Sequence, residues 1–425
     1  MNKRAGNVSC QDYLSPPPRW LGTVLAAAIT VLLCGSREVA GEEFAEPFVA
    51  RTQMRFAIGE QVVDEIEKGD LLTVVEERED TYVVTTFNGK RGLVNKVDVL
   101  KLAESVELYD DLIEADRKEG RLYTLRASAW WARGNHDRAL ADFDKAIEAG
   151  YQEPHAYSSR GLFHAALGNY EKAIADYGMA IERGAKDSSP YINRAAVFVT
   201  QQKYDLALKD YSKAISIEPK NSGIYQQRAV AYKLDGELDK AVADFGKAIE
   251  LDPKNVAAWM GRGFMWFQQH EYQKAVDDFS AAVKLDPGLP QAYNNRGYNR
   301  QMLGQYKDAL VDFNRAIELA PEYSLAHQNK AWLLASCDDS DIRDAKLAVE
   351  AATVACKLSD YKDPGAVKAL AAAFAESGEF EKAIGWQEKV VQMVPEDQQP
   401  VERETLEDYK AGRPFRFSEA EATEK

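Results

Sequence analysis

The stretch Ala241-Val242-Ala243-Asp244-Phe245-Gly246-Lys247-Ala248, closed by Pro253, decides how this chain folds. Its small and aromatic residues recur every 34 positions. The leading alanine returns as Ala139, Ala173, Ala207, Ala275 and Ala309, and the aromatic as Phe143, Tyr177, Tyr211, Phe279 and Phe313. A second alanine ladder runs through Ala146, Ala180, Ala214, Ala248, Ala282 and Ala316, and prolines stand at Pro219, Pro253, Pro287 and Pro321. Upstream lie Tyr123, Tyr157, Tyr191, Tyr225, Trp259 and Tyr293. Apolar residues three and four apart predict two amphipathic helices per unit. Alanines let the helices approach, aromatics fill the gaps, and each proline stops the second helix. One such hairpin cannot bury its apolar face alone, but a stack can.

Outward from residues 120–323, six units keep this register, a seventh starts at Ser324 and an eighth at Pro364. The pattern resembles the tetratricopeptide repeat, a helix–turn–helix unit of this length. That resemblance implies a mainly α fold, an alpha-alpha superhelical solenoid of about eight units over residues 120–398. Residues 103–119, with Tyr109, continue the register backwards as a linking half-repeat helix. Residues 399–416, with Leu406 and Tyr409, form a C-terminal cap, and residues 417–425 read as a disordered tail.

Before the repeats, residues 48–102 are strand-like. The runs Leu71-Leu72-Thr73-Val74-Val75 and Tyr82-Val83-Val84-Thr85-Thr86 are separated from their neighbours by Lys68-Gly69-Asp70 and Asn88-Gly89-Lys90. Five short strands in this space predict a small all-β barrel. The order of these pieces, through Gly92-Leu93-Val94, resembles a bacterial Src-homology-3-like (SH3-like) domain. Members often carry tryptophan where this chain has Tyr82 and Leu93, which leaves wall-peptide contact through the barrel as one reading and a structural role as the other.

Residues 1–40 read as an address. Lys3, Arg4 and Arg19 precede an uncharged run from Trp20 to Ser36, shorter than the ~20 apolar residues of a membrane-spanning helix. A cleaved secretion signal, an uncut membrane anchor and a lipidated Cys34 are the three readings. Each predicts an exported protein, periplasmic or extracellular.

Composition narrows the functions. The 425 residues carry 53 basic and 68 acidic side chains, a formal charge of −15, so a phosphate backbone is disfavoured and no nucleic-acid partner is expected. The sequence lacks a GxxxxGK loop, a GxSxG elbow and an HExxH helix, which argues against an enzyme and against a cofactor. His155 and His164 lie about 13 Å apart along one helix, too far to share a metal. Arg126, Arg160, Arg194, Arg228, Arg262 and Arg296 match Asp142, Asp176, Asp210, Asp244, Asp278 and Asp312 in spacing, predicting charge pairs between helices. Ser340 or Asp341 is expected to cap the helix after the acidic insertion, and Cys337 and Cys356 to be separate buried thiols.

One face exceeds what stacking needs. Met260, Phe264 and Phe267 form a stripe at helical spacing, continued by Asn294, Tyr298 and Gln301, then Gln328 and Trp332. Amides lie alongside at Asn193, Gln227, Asn295 and Asn329, and Gln226 joins them. In the repeat family the first helices line the inner surface, so the resemblance implies a protein or peptide ligand held there. Aromatic faces suit apolar side chains and carboxamides suit a peptide backbone. The alternative is that these aromatics fill space between units. Lysine–asparagine carboxylate clamps known in the family find no counterpart, since Lys368 is followed by Ala372.

Overall fold

The computed structural model describes residues 47–58, 61–86 and 88–417. The address read in residues 1–40 and residues 418–425 of the tail read in 417–425 lie outside the described residues; Phe417, the first residue of that tail, is described and buried. The chain divides between Pro219 and Lys220 into two compact units.

The first unit begins with β1 (Phe48–Ala50), β2 (Met54–Ile58), β3 (Gln61–Ile66), β4 (Leu71–Glu77), β5 (Thr81–Thr85), β6 (Arg91–Asn95) and β7 (Val99–Lys101). Five of them form an antiparallel sheet in the order β6-β5-β4-β1-β7, and β2 and β3 pair separately. The described residues thus hold seven strands where the sequence reading expected five. Ala50, Ile66, Leu72, Val84, Val94 and Val99 make the small core of this region.

Helix α1 (Val106–Ala115) joins the sheet to the repeats. Its Tyr109 is fully buried and donates its hydroxyl hydrogen to the Gly69 carbonyl, 2.9 Å away. Gly69 has φ +94°, a left-handed backbone conformation that favours glycine at this turn. Three hairpins follow: α2 (Gly120–Ala132) with α3 (His136–Glu148), α4 (Pro154–Ala166) with α5 (Tyr170–Glu182), and α6 (Ser189–Thr200) with α7 (Tyr204–Ile217).

The second unit holds five hairpins: α8 (Ser222–Leu234) with α9 (Leu238–Leu251), α10 (Val256–Gln268) with α11 (Tyr272–Leu285), α12 (Pro290–Met302) with α13 (Tyr306–Leu319), α14 (Ser324–Ser336) with α15 (Ala345–Leu358), and α16 (Pro364–Glu376) with α17 (Phe380–Met393). Helix α18 (Gln399–Lys410) packs on α17. The fold class is therefore tandem helix hairpins of the tetratricopeptide kind, mainly α, behind a small β region.

The ladders explain the packing. Both alanine series and the aromatic series between them are buried throughout. A Cβ on Gly297 would come within 2.9 Å of Phe313, so glycine lets the second-helix ring press against the first helix. Helices α7, α9, α11 and α13 each end two residues before their proline.

All six arginines meet their aspartates through Nε and Nη2, within one hairpin each; in Arg296–Asp312 the distances are 2.9 and 2.7 Å. The two helices are antiparallel, which brings residues 16 positions apart to one height.

The insertion after α14 differs from expectation at its cap. Asp344, not Ser340 or Asp341, accepts the backbone N–H of Leu347 at 2.9 Å, while Asp339 accepts that of Asp341. Asp341 is thus held inside the turn, too early to cap α15. Cys337 and Cys356 are buried and unpaired, and burial pushes their thiols up to about 11 and about 12.

Candidate peptide-binding face

In the second unit the candidate stripe lies on the first helices α8, α10, α12 and α14. Positions four and then three apart share a helix face, which places Met260, Phe264 and Phe267 in a row on α10. The Phe264 and Phe267 rings are 5.9 Å apart, and Phe267 meets Tyr298 of α12 edge-on at 5.5 Å and 89°. The row therefore continues from one hairpin to the next as an aromatic contact. On α14 the Trp332 indole carries the Lys368 ammonium 5.4 Å from its centroid.

Burial separates the sequence candidates into two groups. Gln226, Gln227, Met260, Phe267, Gln328 and Trp332 are half-buried and keep solvent contact. Phe264 and Tyr298 are buried, and Asn294, Asn295 and Asn329 are only 0%, 4% and 4% exposed. The asparagines are bonded to one another: Asn329 Nδ2 donates to Asn294 Oδ1 at 3.0 Å, and Asn294 Nδ2 donates to Asn295 Oδ1 at 3.3 Å. Buried amides must find partners. In this arrangement they hold α12 to α14 and are not presented as free donors for a ligand. Burial likewise raises the Tyr298 phenol above its usual range.

The glutamines serve differently. Gln226 Oε1 accepts from Asn255 Nδ2 at 2.7 Å, which ties α8 to the turn before α10. The Gln328 amide lies across Gly365 so closely that a Cβ there would be 2.5 Å from its Nε2. What remains available is a half-exposed apolar and amide surface, with Met260 and Phe267 at one end and Gln328 and Trp332 at the other.

Several neighbours were missed by sequence reasoning. Lys368 is buried and paired with Glu402 of α18 at 2.7 Å, while Gln387 Nε2 donates to the same carboxylate at 2.8 Å. Glu376 of α16 receives Arg343 Nε at 2.9 Å and approaches Arg416 Nη2 at 2.6 Å. Phe415 lies 5.3 Å from Trp332, and Phe417 is also buried, so order extends past the expected start of the tail. The one visible signal was a Phe415-Arg416-Phe417 triplet in an otherwise polar stretch.

The first unit has its own cleft, of about 550 Å³, between β3–β4 and α2–α4. Asp64, Glu67, Asp70 and Arg121 line it, with Tyr151 and His155. Hydrogen bonds from Thr86 and Asn88 hold the Asp64 carboxyl below its ordinary range, and burial lowers His155. Arg121 is already neutralised by Asp70 at 2.7 Å, which leaves the lining predominantly acidic. His155 and His164 both stand on α4, and among the described residues no group of three metal-ligating side chains gathers.

A model of the tetratricopeptide repeat matches residues 96–154, 124–190 and 227–290, and a second model of the same repeat matches 189–221 and 290–323. Together they span slightly more than half of the chain. No curated protein matches it. Among solved structures, YrrB, a TPR protein with an unusual peptide-binding site, is 22% identical over 43% of this chain and 94% of its own, with a TM-score of 0.38. The C-terminal part of a TPR repeat-containing protein from Cytophaga hutchinsonii is 19% identical over 54% and 94%, at 0.48. MamA from Desulfovibrio magneticus RS-1 is 20% identical over 43% and 96%, at 0.37. With every TM-score below 0.5, these superpositions carry no functional argument.

Proposed function

The chain belongs to the tetratricopeptide-repeat family, and from that premise we propose that it is a non-catalytic scaffold holding an extended protein or peptide segment along its first-helix face. One observation carries this reading. The alanine and aromatic ladders fill the core of the stack, and Met260, Phe267, Gln328 and Trp332 on the first helices stay only half-buried against it. Large apolar side chains left partly in water beside amides suit a peptide's side chains and backbone. Peptides selected from a random library on the purified chain provide the test. Phe267→Ala combined with Trp332→Ala should weaken them at least ~10-fold at unchanged helical circular dichroism. Undiminished binding would remove the face from consideration.

Residues 1–40 fit export to a periplasmic or extracellular location, by a cleaved signal, with a retained membrane anchor or through a lipidated Cys34. Cell fractionation, with the mature N-terminus determined by mass spectrometry, separates these outcomes. A second reading assigns cell-envelope contact to the β region as an SH3-like module, with the repeats as spacer. Its support is the exposure of Leu93 at 56% and Val97 at 73% on and beside β6, an edge strand of the sheet. Leu93→Ser with Val97→Ser should then release the protein from isolated wall material; retention would dismiss this reading.

A further inference from the structure

The end of α18 is followed by a non-helical segment that folds back onto α14 and α16. Gly412, with φ +71°, turns the chain after the helix, and residues 413–417 run on without helical structure. Phe417 N–H donates to the Ser336 carbonyl at 2.6 Å, and Phe417 pairs in parallel with Cys337. That carbonyl belongs to the last turn of α14, where a helix leaves acceptors without intrahelical donors. Phe415 lies over Trp332, the half-exposed aromatic of the recognition face. Arg416 between them reaches Glu376 at 2.6 Å. Both rings are buried, at 9% and 3% exposure, in a cluster with Tyr298 and Met302 of α12. One main-chain hydrogen bond, one ion pair and two seated aromatic rings are what an extended peptide needs for register, charge and affinity.

We infer that the segment from Pro414 to Phe417 is an internal ligand, and that the partner of this face is an extended segment of aromatic–basic–aromatic pattern that must displace it. The inference rests on the scaffold reading above and names the partner class for the same site. Charge favours it: the half-buried Glu376 carboxylate, which also receives Arg343, presents its second oxygen where the arginine lies, and the chain as a whole is acidic, at −15. The tether is only a few residues long, so the internal segment competes at an effective concentration in the millimolar range. A free peptide then binds with an affinity reduced by the fraction of chains whose site is open.

The probe is a fluorescein-labelled hexapeptide with the sequence of Gly412–Phe417, titrated by anisotropy into the full chain. Phe415→Ala with Phe417→Ala empties the site, and should bind the probe at least ~10-fold more tightly than the parent. Arg416→Glu keeps both rings but sets like charge against Glu376, and should give a gain in the same direction. Adding Trp332→Ala should abolish either gain, and a probe with glutamate for its arginine should bind none of the proteins. Equal probe affinity in parent and both variants, with melts showing them folded, overturns the inference. Should the double variant unfold, Arg416→Glu decides together with the parent protein, where excess probe should accelerate amide exchange at Phe417; unchanged exchange counts against the inference. If library peptides bind the face without the aromatic–basic–aromatic pattern and without competing with the probe, the internal-ligand inference falls while the scaffold reading stands. If neither probe nor library peptide binds any variant, both fall.

Discussion

Arg262 meets the carboxylate of Asp278 through two parallel hydrogen bonds, Nε to Oδ2 and Nη2 to Oδ1, each 2.8 Å long. The aspartate is almost wholly enclosed, whereas the arginine side chain keeps 23% of its exposure. Enclosing a carboxylate is tolerable only with such a partner. The same pair recurs in all six in-register hairpins from Arg126 to Asp312, so these arginines are committed within the fold and form no anion-binding stripe.

Asp278→Ala is expected to lower stability by about 2–3 kcal/mol, somewhat under the ~3–5 kcal/mol of a fully buried pair, because Arg262 retains access to water. Urea unfolding followed by circular dichroism measures this. A loss below ~0.5 kcal/mol would place the pair among ordinary surface ion pairs.

Gly261 and Gly385 should respond oppositely to alanine. A Cβ on Gly261 would stand 2.5 Å from two carbons of the buried Phe245 ring, whereas a Cβ on Gly385 meets nothing within 4 Å. Alanine gains ~1 kcal/mol of helix propensity at either position. At Gly261 overpacking of roughly 1–3 kcal/mol outweighs that gain, so Gly261→Ala should destabilise. Gly385→Ala should stabilise by about 0.5–1 kcal/mol. Paired urea titrations decide it, and a stabilised Gly261→Ala would show that the ring can retreat.

Acid should weaken the fold through its histidines. Burial lowers His155, His164 and His327 below the ordinary 6.5. The unfolded chain therefore takes up protons near 6.5, before the folded chain does, and stability present above that value declines as the pH falls through the lowered folded-state values. Melting temperature should drop between pH 7 and pH 5, and His164→Gln should flatten part of the slope. A melting curve independent of pH in this window would contradict the burial of these rings.

Periodicity made the hairpins legible because it repeats: one alanine–aromatic ladder predicts every helix pair from Tyr123 to Pro321, and the structure follows it closely. The β2–β3 pair was missed for a local reason. Its register shifts between Phe56 and Ala57, and charged Arg55, Asp64 and Glu65 interrupt the alternation that marks a strand. The recognition stripe was legible as spacing but not as accessibility. Nothing in the sequence says that Asn294, Asn295 and Asn329 would spend their hydrogen-bonding capacity on one another. Nor does it show that Glu402 would reach Lys368, since that contact spans three helices and is set by packing alone.

The pairing of Lys368 with Glu402 has a consequence for assembly. A bare terminal hairpin is a template on which an identical hairpin from another molecule could seat, as bricks extend an unfinished course. Helix α18 lies on α17 and is held there by an enclosed charge pair, so the last hairpin's outer face is covered from within the chain. The surface presented beyond the eighth hairpin is therefore that of α18, not the bare face of α17.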